Sequence, residues 1–189
     1  MGPVVPADLD SFIARGRHLL IYGGPGSGKT RLAMHLASRA IAKELKVVVL
    51  FSEAGTLPLI ARTGLSLGHY PIYAIDDLAR KVTRAAVMGF FTVVDTLNSF
   101  YADDLPNNAS LLAYVSSILK EGGGVSVAQA RKQGSEPAGL RFVEPYIDAV
   151  IETRKIEGGL FEALLRPVST SDSTRLRFRP KGWHVEWVY

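Results

Sequence analysis

The sequence contains no cysteine, so disulfide bonds, thiolate metal sites and cysteine nucleophiles are excluded. Histidine is scarce, and the spacing of the four histidines does not match that of metal ligands, so we expect no zinc site. They are His18, His35, His69 and His184. No run of 18 apolar residues is present, and the first residues, MGPVVP, lack the layout of a secretory signal, in which charged residues precede apolar ones. We therefore expect a cytoplasmic protein without a membrane segment.

The composition also lacks the features of disordered chains, which combine low hydrophobicity with high charge. Of the 189 residues, 47% are hydrophobic and 21% are charged, which is ordinary for a folded protein. This length suits one domain with a full core, and residues 1–189 are predicted to form it. The net charge of +4 permits contact with nucleic acid or acidic membranes but is too small to require either.

Short apolar runs alternate with longer amphipathic segments in the first two thirds of the chain. This alternation is typical of βα units, and the right-handed crossover rule places the helices on the faces of a parallel sheet. The predicted fold class is therefore α/β, with three layers around a mostly parallel sheet. The predicted strands are residues 18–23, 46–51, 90–95 and 124–129, and the predicted helices are residues 29–43, 76–88 and 108–120.

The pattern changes after about residue 139, where short segments of alternating hydrophobicity are separated by turn residues. We predict antiparallel strands that extend one edge of the sheet. In the last of them, Trp183, Val185 and Trp187 alternate with His184 and Glu186, so we interpret both tryptophans as packing residues rather than as a stacking platform for a ligand. The predicted strands are residues 147–153, 160–166, 175–179 and 183–189.

A phosphate-binding motif lies between the first predicted strand and the first predicted helix. Residues 23–30 read GGPGSGKT and satisfy G-x-x-x-x-G-K-[ST]. Glycines allow successive backbone N–H groups to turn inward and form an anion cradle at the start of the helix. We expect Lys29 to reach the β- and γ-phosphates and the Thr30 hydroxyl to bind Mg²⁺. The motif predicts ATP, or a related nucleoside triphosphate, held with Mg²⁺ by Gly24, Pro25, Gly26, Ser27, Gly28, Lys29, Thr30 and Arg31.

A phosphate loop that holds Mg²⁺ also needs a carboxylate from elsewhere in the chain. Asp95 ends the run FFTVVD, and a carboxylate at the end of a buried strand needs a cation as its partner. We predict that Asp95 and Thr30 are the metal site and that the strand of Asp95 lies next to that of the phosphate loop. The alternative is that Asp95 only caps a turn at the strand end.

Together these motifs resemble the RecA/RadA/KaiC class of P-loop ATPases, and most closely the short archaeal RadA paralogues known as RadB. Residues 94–101 (VDTLNSFY) resemble the Walker B strand of that class and its trailing segment. Residues 125–129 (VSVAQ) resemble the strand that ends in a glutamine sensing the γ-phosphate. Residues 137–151 and 177–186 resemble the following segment and the last hairpin. The resemblance implies a RecA-like core and a sensing role for Gln129.

The resemblance also shows a departure at the residue that activates water. The class places a glutamate at the end of its second core strand, before a Gly-Thr pair that Gly55 and Thr56 match here. By that comparison Ala54 takes the catalytic position, and Glu53 lies one residue early, facing the opposite side if the strand continues. A kink at the strand end would still bring Glu53 to the water. We predict Glu53 as the catalytic carboxylate of a slow ATPase.

In RecA-like proteins two loops face DNA, and the resemblance assigns them to residues 100–108 and 130–139. The second loop is basic, and its charges can contact phosphate backbones. The first loop carries Asp103 and Asp104, whose negative charges argue against contact with DNA. The candidate contacts to single-stranded DNA are Arg131, Lys132 and Arg141.

Relatives also carry a Lys-x-Arg pair near the C-terminus that reaches the ATP site of a neighbouring subunit. This chain retains only Arg166, which could act in trans in an oligomer or could be an exposed arginine at a strand end. Residues 12–14 do not match the segment by which RadA subunits link.

Three functions fit these observations. The first is an ATP-binding accessory protein of DNA recombination or repair that binds single-stranded DNA and acts on a RadA-type recombinase or another protein. The second is a KaiC-like regulatory ATPase that controls a protein partner without DNA, favoured by the acidic first loop. The third, a small-molecule kinase, needs an arginine-rich lid, and the densest group of arginines, Arg175, Arg177 and Arg179, falls instead in a predicted C-terminal strand, which makes this function the least favoured.

Overall fold

The computed structural model describes residues 7–65, 67–99, 105–132 and 134–188. The strands are β1 (His18–Gly23), β2 (Val47–Phe51), β3 (Gly68–Pro71), β4 (Phe91–Asp95), β5 (Gly124–Gln129), β6 (Ala149–Lys155), β7 (Phe161–Pro167), β8 (Thr174–Lys181) and β9 (His184–Val188). The helices are α1 (Ala7–Ala14), α2 (Lys29–Ala42), α3 (Thr56–Thr63), α4 (Ile75–Val87), α5 (Leu105–Gly122) and the short α6 (Leu140–Val143). Single 3₁₀ turns are formed by Glu144–Tyr146 and Glu157–Gly159.

The nine strands within the described ranges belong to one sheet, in the order β3-β2-β4-β5-β1-β6-β7-β8-β9. The six strands from β3 to β6 are parallel, and β7, β8 and β9 are added antiparallel at one edge. The predicted fold class is confirmed. The prediction of an antiparallel strand at residues 147–153 was wrong, because this segment forms β6, which runs parallel to β1. It is parallel because the connection from β5 crosses over through α6 instead of turning back as a hairpin.

Two apolar layers cover the two faces of the sheet. Along β1, Leu19 and Ile21 enter the layer that contains α1 and α2, whereas Leu20 and Tyr22 enter the layer that contains α4 and α5. Burial on both faces explains why the parallel strands read as continuous apolar runs in the sequence. Within the ranges given above, no helix is long and apolar enough to cross a membrane.

The sequence patterns did not predict α1, α3 or β3. The edge strand β3 has no buried residue, so it lacks the apolar run that reveals a central strand. At the opposite edge, the interpretation of the tryptophans is confirmed. Trp183 and Trp187 pack against the α1 and α2 layer, and Val185 between them is 2% exposed.

Candidate nucleotide-binding site

The phosphate loop leaves the end of β1 and enters α2 through two glycines with positive φ. Gly26 has φ +68° and Gly28 has φ +87°, a region that side chains rarely adopt. At Gly23, a Cβ atom would lie 2.3 Å from the carbonyl oxygen of Thr153 on β6. The loop can therefore take this shape only with glycine at these points. Its shape leaves the first N–H groups of α2 open toward an anion.

A cavity of about 390 Å³ opens above this loop. Residues 26–31 form its floor, so most of the predicted nucleotide contacts line one space. Of the other two predicted contacts, Gly24 accepts a hydrogen bond from Lys29 at its carbonyl oxygen, and Pro25 is exposed. The remaining walls are formed by Glu53, Leu59, Thr96, Gln129, Phe161 and Pro180.

Lys29 is buried at the centre of the loop, with 7% of its surface exposed. Its Nζ donates a 2.8 Å hydrogen bond to the carbonyl oxygen of Gly24. Burial lowers the pKa of Lys29, and the attraction of Asp95 and Glu53 opposes that shift. A buried ammonium group needs an anion or several acceptors nearby, and a bound phosphate provides both.

Asp95 is fully buried at the end of β4, and three threonine hydroxyl groups lie within hydrogen-bond distance of its carboxylate. Thr30 Oγ1 lies 3.3 Å from Oδ1, Thr56 Oγ1 lies 2.6 Å from Oδ2, and Thr96 Oγ1 lies 3.3 Å from Oδ1. Burial raises the pKa of Asp95 and repulsion by Glu53 adds to it, while the hydroxyl donors lower it. A buried carboxylate beside a hydroxyl at the loop end is a set of hard oxygen donors suited to Mg²⁺.

The position of the Asp95 strand differs from the prediction in one respect. We expected it beside the strand of the phosphate loop, but β5 lies between β4 and β1. The carboxyl ends of parallel strands meet at one edge of a sheet, so Asp95 still reaches Thr30 across the end of β5.

Glu53 lines the same cavity as Lys29 and Gln129. The β2 strand ends at Phe51, so the alternation of side chains along a strand does not apply to Glu53. Its Oε1 accepts a 3.0 Å hydrogen bond from Thr96 Oγ1. The chain leaves β2 two residues before Glu53, and the catalytic role of Glu53 stays a prediction.

Gln129 ends β5 and also lines the cavity. Its backbone is held by Asn98, a buried side chain that our sequence analysis had not singled out. Ser52 makes a similar contact, since its Oγ accepts from the backbone N–H of Thr96 at 3.0 Å. Asn98 belongs to the segment VDTLNSFY that resembles the Walker B strand. Its polar side chain beside Asp95 was the signal from which a role at the site could have been predicted.

A smaller cavity of about 250 Å³ adjoins the first and shares three of its walls. Arg131, a predicted DNA contact, lines it and is exposed. Lys132 and Arg141 are also exposed, and the Arg141 guanidinium lies over the Phe142 ring at 4.6 Å. Asp103 and Asp104 of the other predicted loop lie outside the described residues.

Arg166 does not contribute to the walls of the main cavity. It lies on β7, where its Nη2 donates a 2.7 Å hydrogen bond to the Tyr22 hydroxyl and lies 3.8 Å from a Glu152 oxygen. Burial and the charge of Glu152 raise the pKa of Tyr22, and Arg166 opposes this shift. These contacts tie β1, β6 and β7 together, and a trans role for Arg166 stays a prediction.

No protein-family model matches the chain. The tRNA modification GTPase MnmE of Brucella anthropi is 32% identical over 77 residues, which are 41% of this chain and 16% of MnmE. MnmE of Brucella ovis is 33% identical over 72 residues, 38% of this chain and 15% of the relative. The matched segments thus span less than a fifth of the length of these relatives.

Among solved structures, a KaiC-like protein from the hyperthermophilic archaeon Pyrococcus horikoshii OT3 matches with a TM-score of 0.69 and 17% identity. The match covers 92% of this chain and 90% of that protein. It extends from the parallel core to the antiparallel strands, and so agrees with the RecA-like fold that the motifs implied. The finer likeness to archaeal RadB proteins stays a prediction.

Proposed function

We propose that this chain is a Mg²⁺-dependent, ATP-binding ATPase of low turnover that acts as an accessory protein in DNA recombination or repair. One observation carries the proposal. Lys29, Thr30, Glu53 and Gln129 line a single cavity, and Asp95 hydrogen-bonds to Thr30 at its base. These groups come from four separate segments of the chain. Their convergence on a glycine-rich anion cradle is what a nucleoside triphosphate site requires.

In the proposed complex, the loop N–H groups and Lys29 hold the phosphates. Lys29 already donates to a loop carbonyl, and a phosphate oxygen is a stronger acceptor for the same ammonium group. Phe161 and Pro180 offer an apolar wall for the ribose and base, with Arg31 beside them. Because the matched MnmE proteins are named as GTPases, GTP belongs beside ATP in any binding test.

Thr30 and Asp95 would hold Mg²⁺, the ion that neutralises charge on the transferred phosphoryl group when it is bound. Among the residues that the structure describes, the groups in hydrogen-bond contact with the Asp95 carboxylate are hydroxyls and include no cation. A buried carboxylate in such surroundings favours a bound cation over remaining an isolated charge.

Glu53 is the proposed base that accepts a proton from the attacking water. Its carboxylate lies at the cavity wall next to Gln129, which would orient the same water or the γ-phosphate. Glu53 is exposed, and Thr96 occupies one of its oxygens. An exposed base with a competing hydrogen bond is poorly preorganised, which supports slow turnover.

The DNA role rests on the resemblance and on the position of Arg131 and Lys132. Both are exposed, and they follow Gln129 by two and three residues. A change at Gln129 on nucleotide binding is therefore close enough to move a DNA contact. Single-stranded DNA and a RadA-type recombinase or another protein are the proposed partners. A single domain, a cytoplasmic location and an oligomer in which Arg166 acts in trans are part of the proposal.

A second candidate is a KaiC-like regulatory ATPase that controls a protein without DNA. A solved structure that matches nine tenths of the chain is named KaiC-like. Arg131 also lines the cavity beside Glu53 and Gln129, where it could read nucleotide state in place of DNA.

Two titrations test the proposal. The first measures binding of a fluorescent ATP analogue with Mg²⁺, with ATP and GTP as competitors and Lys29→Ala as the negative control. The second follows the anisotropy of a labelled single-stranded oligonucleotide, with and without Mg-ATP, at two salt concentrations. Salt-sensitive DNA binding that responds to ATP supports the accessory role. ATP binding without any DNA binding supports the regulatory candidate.

A further inference from the structure

The four C-terminal strands present a row of basic side chains on one face of the sheet. Residues directly opposite each other in neighbouring strands share a face, and the register aligns Arg154, Glu162, Arg177 and Val188. We call this surface the arginine face. Its basic members are Arg154, Arg166, Arg175, Arg177, Arg179 and Lys181. Its carboxylates are Glu152, Glu162 and Glu186.

The direction of these side chains is determined by what lies behind them. On β8, Leu176 and Phe178 point into the α1 and α2 layer, and Phe178 is fully buried. Pro180, on the same side, lines the candidate nucleotide cavity. Since side chains alternate along a strand, burial of these residues turns the intervening arginines outward.

Part of the positive charge on the arginine face is compensated. Glu162 is only 4% exposed, accepts hydrogen bonds from Arg154 and lies 3.6 Å from Arg175. Glu152 and Glu186 lie near Arg166 and Lys181, at 3.8 and 3.1 Å. All three carboxylates are thereby engaged with cations.

Arg177 and Arg179, at the centre of β8, lie opposite Glu162 and Glu186 in the register, but both carboxylates form their ion pairs with other cations. Both arginines are exposed, and neither side chain has an ion-pair or hydrogen-bond partner among the residues that the structure describes. Six cations against three carboxylates leave a positive surface whose free guanidinium groups are adjacent. Such a surface fits a polyanion.

We propose that the arginine face binds an extended single strand of DNA through its phosphate backbone. The inference rests on the DNA role proposed above. It places the phosphate contacts on β8, a surface separate from Arg131 and Lys132. Alternate residues of a strand are about 7 Å apart, so Arg175, Arg177 and Arg179 form a line that can follow one backbone. The planar guanidinium fork binds phosphate oxygens through two parallel hydrogen bonds.

The chemistry of the face also predicts how the strand is held. Its described members include no phenylalanine, tyrosine or tryptophan, since Phe178 and Trp187 face the opposite side, and the His184 ring packs against Trp183. Bases therefore have no stacking platform here, and binding depends on phosphates alone. Affinity should be independent of base sequence and should fall steeply with salt.

The test compares two double variants with equal changes in net charge. Arg177→Glu/Arg179→Glu reverses the centre of the arginine face. Arg62→Glu/Arg84→Glu reverses two exposed arginines on α3 and α4 and is the matched control. None of these four arginine side chains has a hydrogen-bond or ion-pair partner within the described ranges, so we expect both variants to fold, which circular dichroism and thermal melting would verify.

We expect the first variant to bind a labelled single strand at least tenfold more weakly than the wild type, and the control to change less than threefold. The milder Arg177→Gln/Arg179→Gln variant should reduce the slope of log K against log salt by about 1.4, the contribution of two phosphate contacts on a single strand. Binding of the fluorescent ATP analogue should be unchanged in every variant.

Three results would overturn the inference. If both charge-reversal variants bind DNA as tightly as the wild type, and only Arg131→Ala/Lys132→Ala loses affinity, the contact lies on the loop of residues 130–139. The proposed function then stands. If the wild type binds ATP but no DNA at low salt, the DNA part of the proposed function fails as well. If charge reversal changes the oligomeric state in size-exclusion chromatography and leaves DNA affinity intact, the face is an interface between copies of the chain.

Discussion

The side-chain amide of Asn98 makes two hydrogen bonds to the backbone of Gln129, donating from Nδ2 to the carbonyl oxygen and accepting at Oδ1 from the N–H, each 2.7 Å long. Asn98 is 6% exposed and follows the end of β4, so this clamp joins the carboxyl ends of β4 and β5. Few side chains other than an amide can satisfy a backbone donor and acceptor at once. The position of the Gln129 side chain in the cavity therefore depends on Asn98.

Replacing Asn98 by alanine should impair hydrolysis more than binding. A small displacement of a catalytic group can cost orders of magnitude in rate, so we expect kcat to fall about tenfold or more while the Kd for ATP changes less than threefold. Steady-state ATPase assays and nucleotide titration separate the two effects. Asn108→Ala on α5 is the control and should leave both unchanged. Equal losses in kcat and affinity would mean that Asn98 only supports the fold.

Glu53→Gln tests the proposed base. The amide keeps the size of the side chain but cannot accept the proton of the attacking water, so hydrolysis should fall at least 100-fold while ATP binding is retained. Single-turnover assays with the variant and with Glu121→Gln, an exposed control on α5, give the comparison. Full activity of Glu53→Gln would assign the proton transfer to another group.

Asp95→Asn separates metal binding from folding. Burial raises the pKa of Asp95, so its charge is costly in the ligand-free protein, and a neutral amide should not lower the unfolding temperature there. The additional stabilisation by Mg-ATP should shrink to that of ATP with a chelator, because ligand stabilisation follows affinity for the folded state. Thermal melts with ATP, with and without Mg²⁺, measure both quantities. Asp76→Asn, exposed on α4, should behave as the wild type.

Gly23→Ala should destabilise the protein although it adds a single methyl group. The new Cβ would lie 2.3 Å from the Thr153 carbonyl oxygen and 2.6 Å from Ser27 Oγ, so backbone must move. We expect a loss of about 2–3 kcal/mol in the free energy of unfolding. Gly55→Ala is the matched control, since its Cβ would meet no atom of the described residues within 4 Å and its φ is −63°. Urea denaturation that finds both variants equally stable would contradict this geometry.

His18 predicts a pH dependence of stability. It is fully buried, with Nδ1 hydrogen-bonded to the Tyr146 carbonyl oxygen and Nε2 to Ser126 Oγ, both at 2.8 Å. Burial lowers its pKa to about 4 from the usual 6.5, so the unfolded chain binds a proton that the folded chain does not. The contribution of His18 to the free energy of unfolding is therefore fully present above pH 6.5. It declines as the pH falls toward 4, by up to about 3 kcal/mol.

Denaturation between pH 4 and 7 checks this effect. His18→Gln, which cannot take up the proton, should show a smaller loss of stability across this range than the wild type. His69→Gln, at an exposed histidine, is the control and should retain the wild-type slope. Identical slopes for the wild type and His18→Gln would show that His18 does not cause the decline.

Much of the fold could be predicted because the signals are local. The apolar runs of β1, β2, β4 and β5 were predicted within one residue of their observed bounds. The phosphate loop could be read directly, since its glycines, lysine and threonine are contiguous and each has a backbone or chemical reason to be there. Asp95 followed from the same logic, because a carboxylate that ends a buried strand needs a partner.

Other features depended on contacts between distant segments. The insertion of β5 between β4 and β1 and the parallel direction of β6 follow from how connections cross the sheet, which hydrophobic periodicity does not encode. The short elements α1, α3 and β3 are held by packing rather than by a strong pattern of their own.

The sequence by itself determined that the chain has a glycine-rich phosphate loop with Lys29 and Thr30, because those properties reside in adjacent residues. Only the tertiary structure decided that Glu53 reaches the cavity, that Asn98 holds Gln129, and that the arginines of β8 stand together on one face of the sheet. The physical reason is that charge, burial and hydrogen bonding act between side chains that meet in space. Which residues meet is determined only when the strands take their places in the sheet.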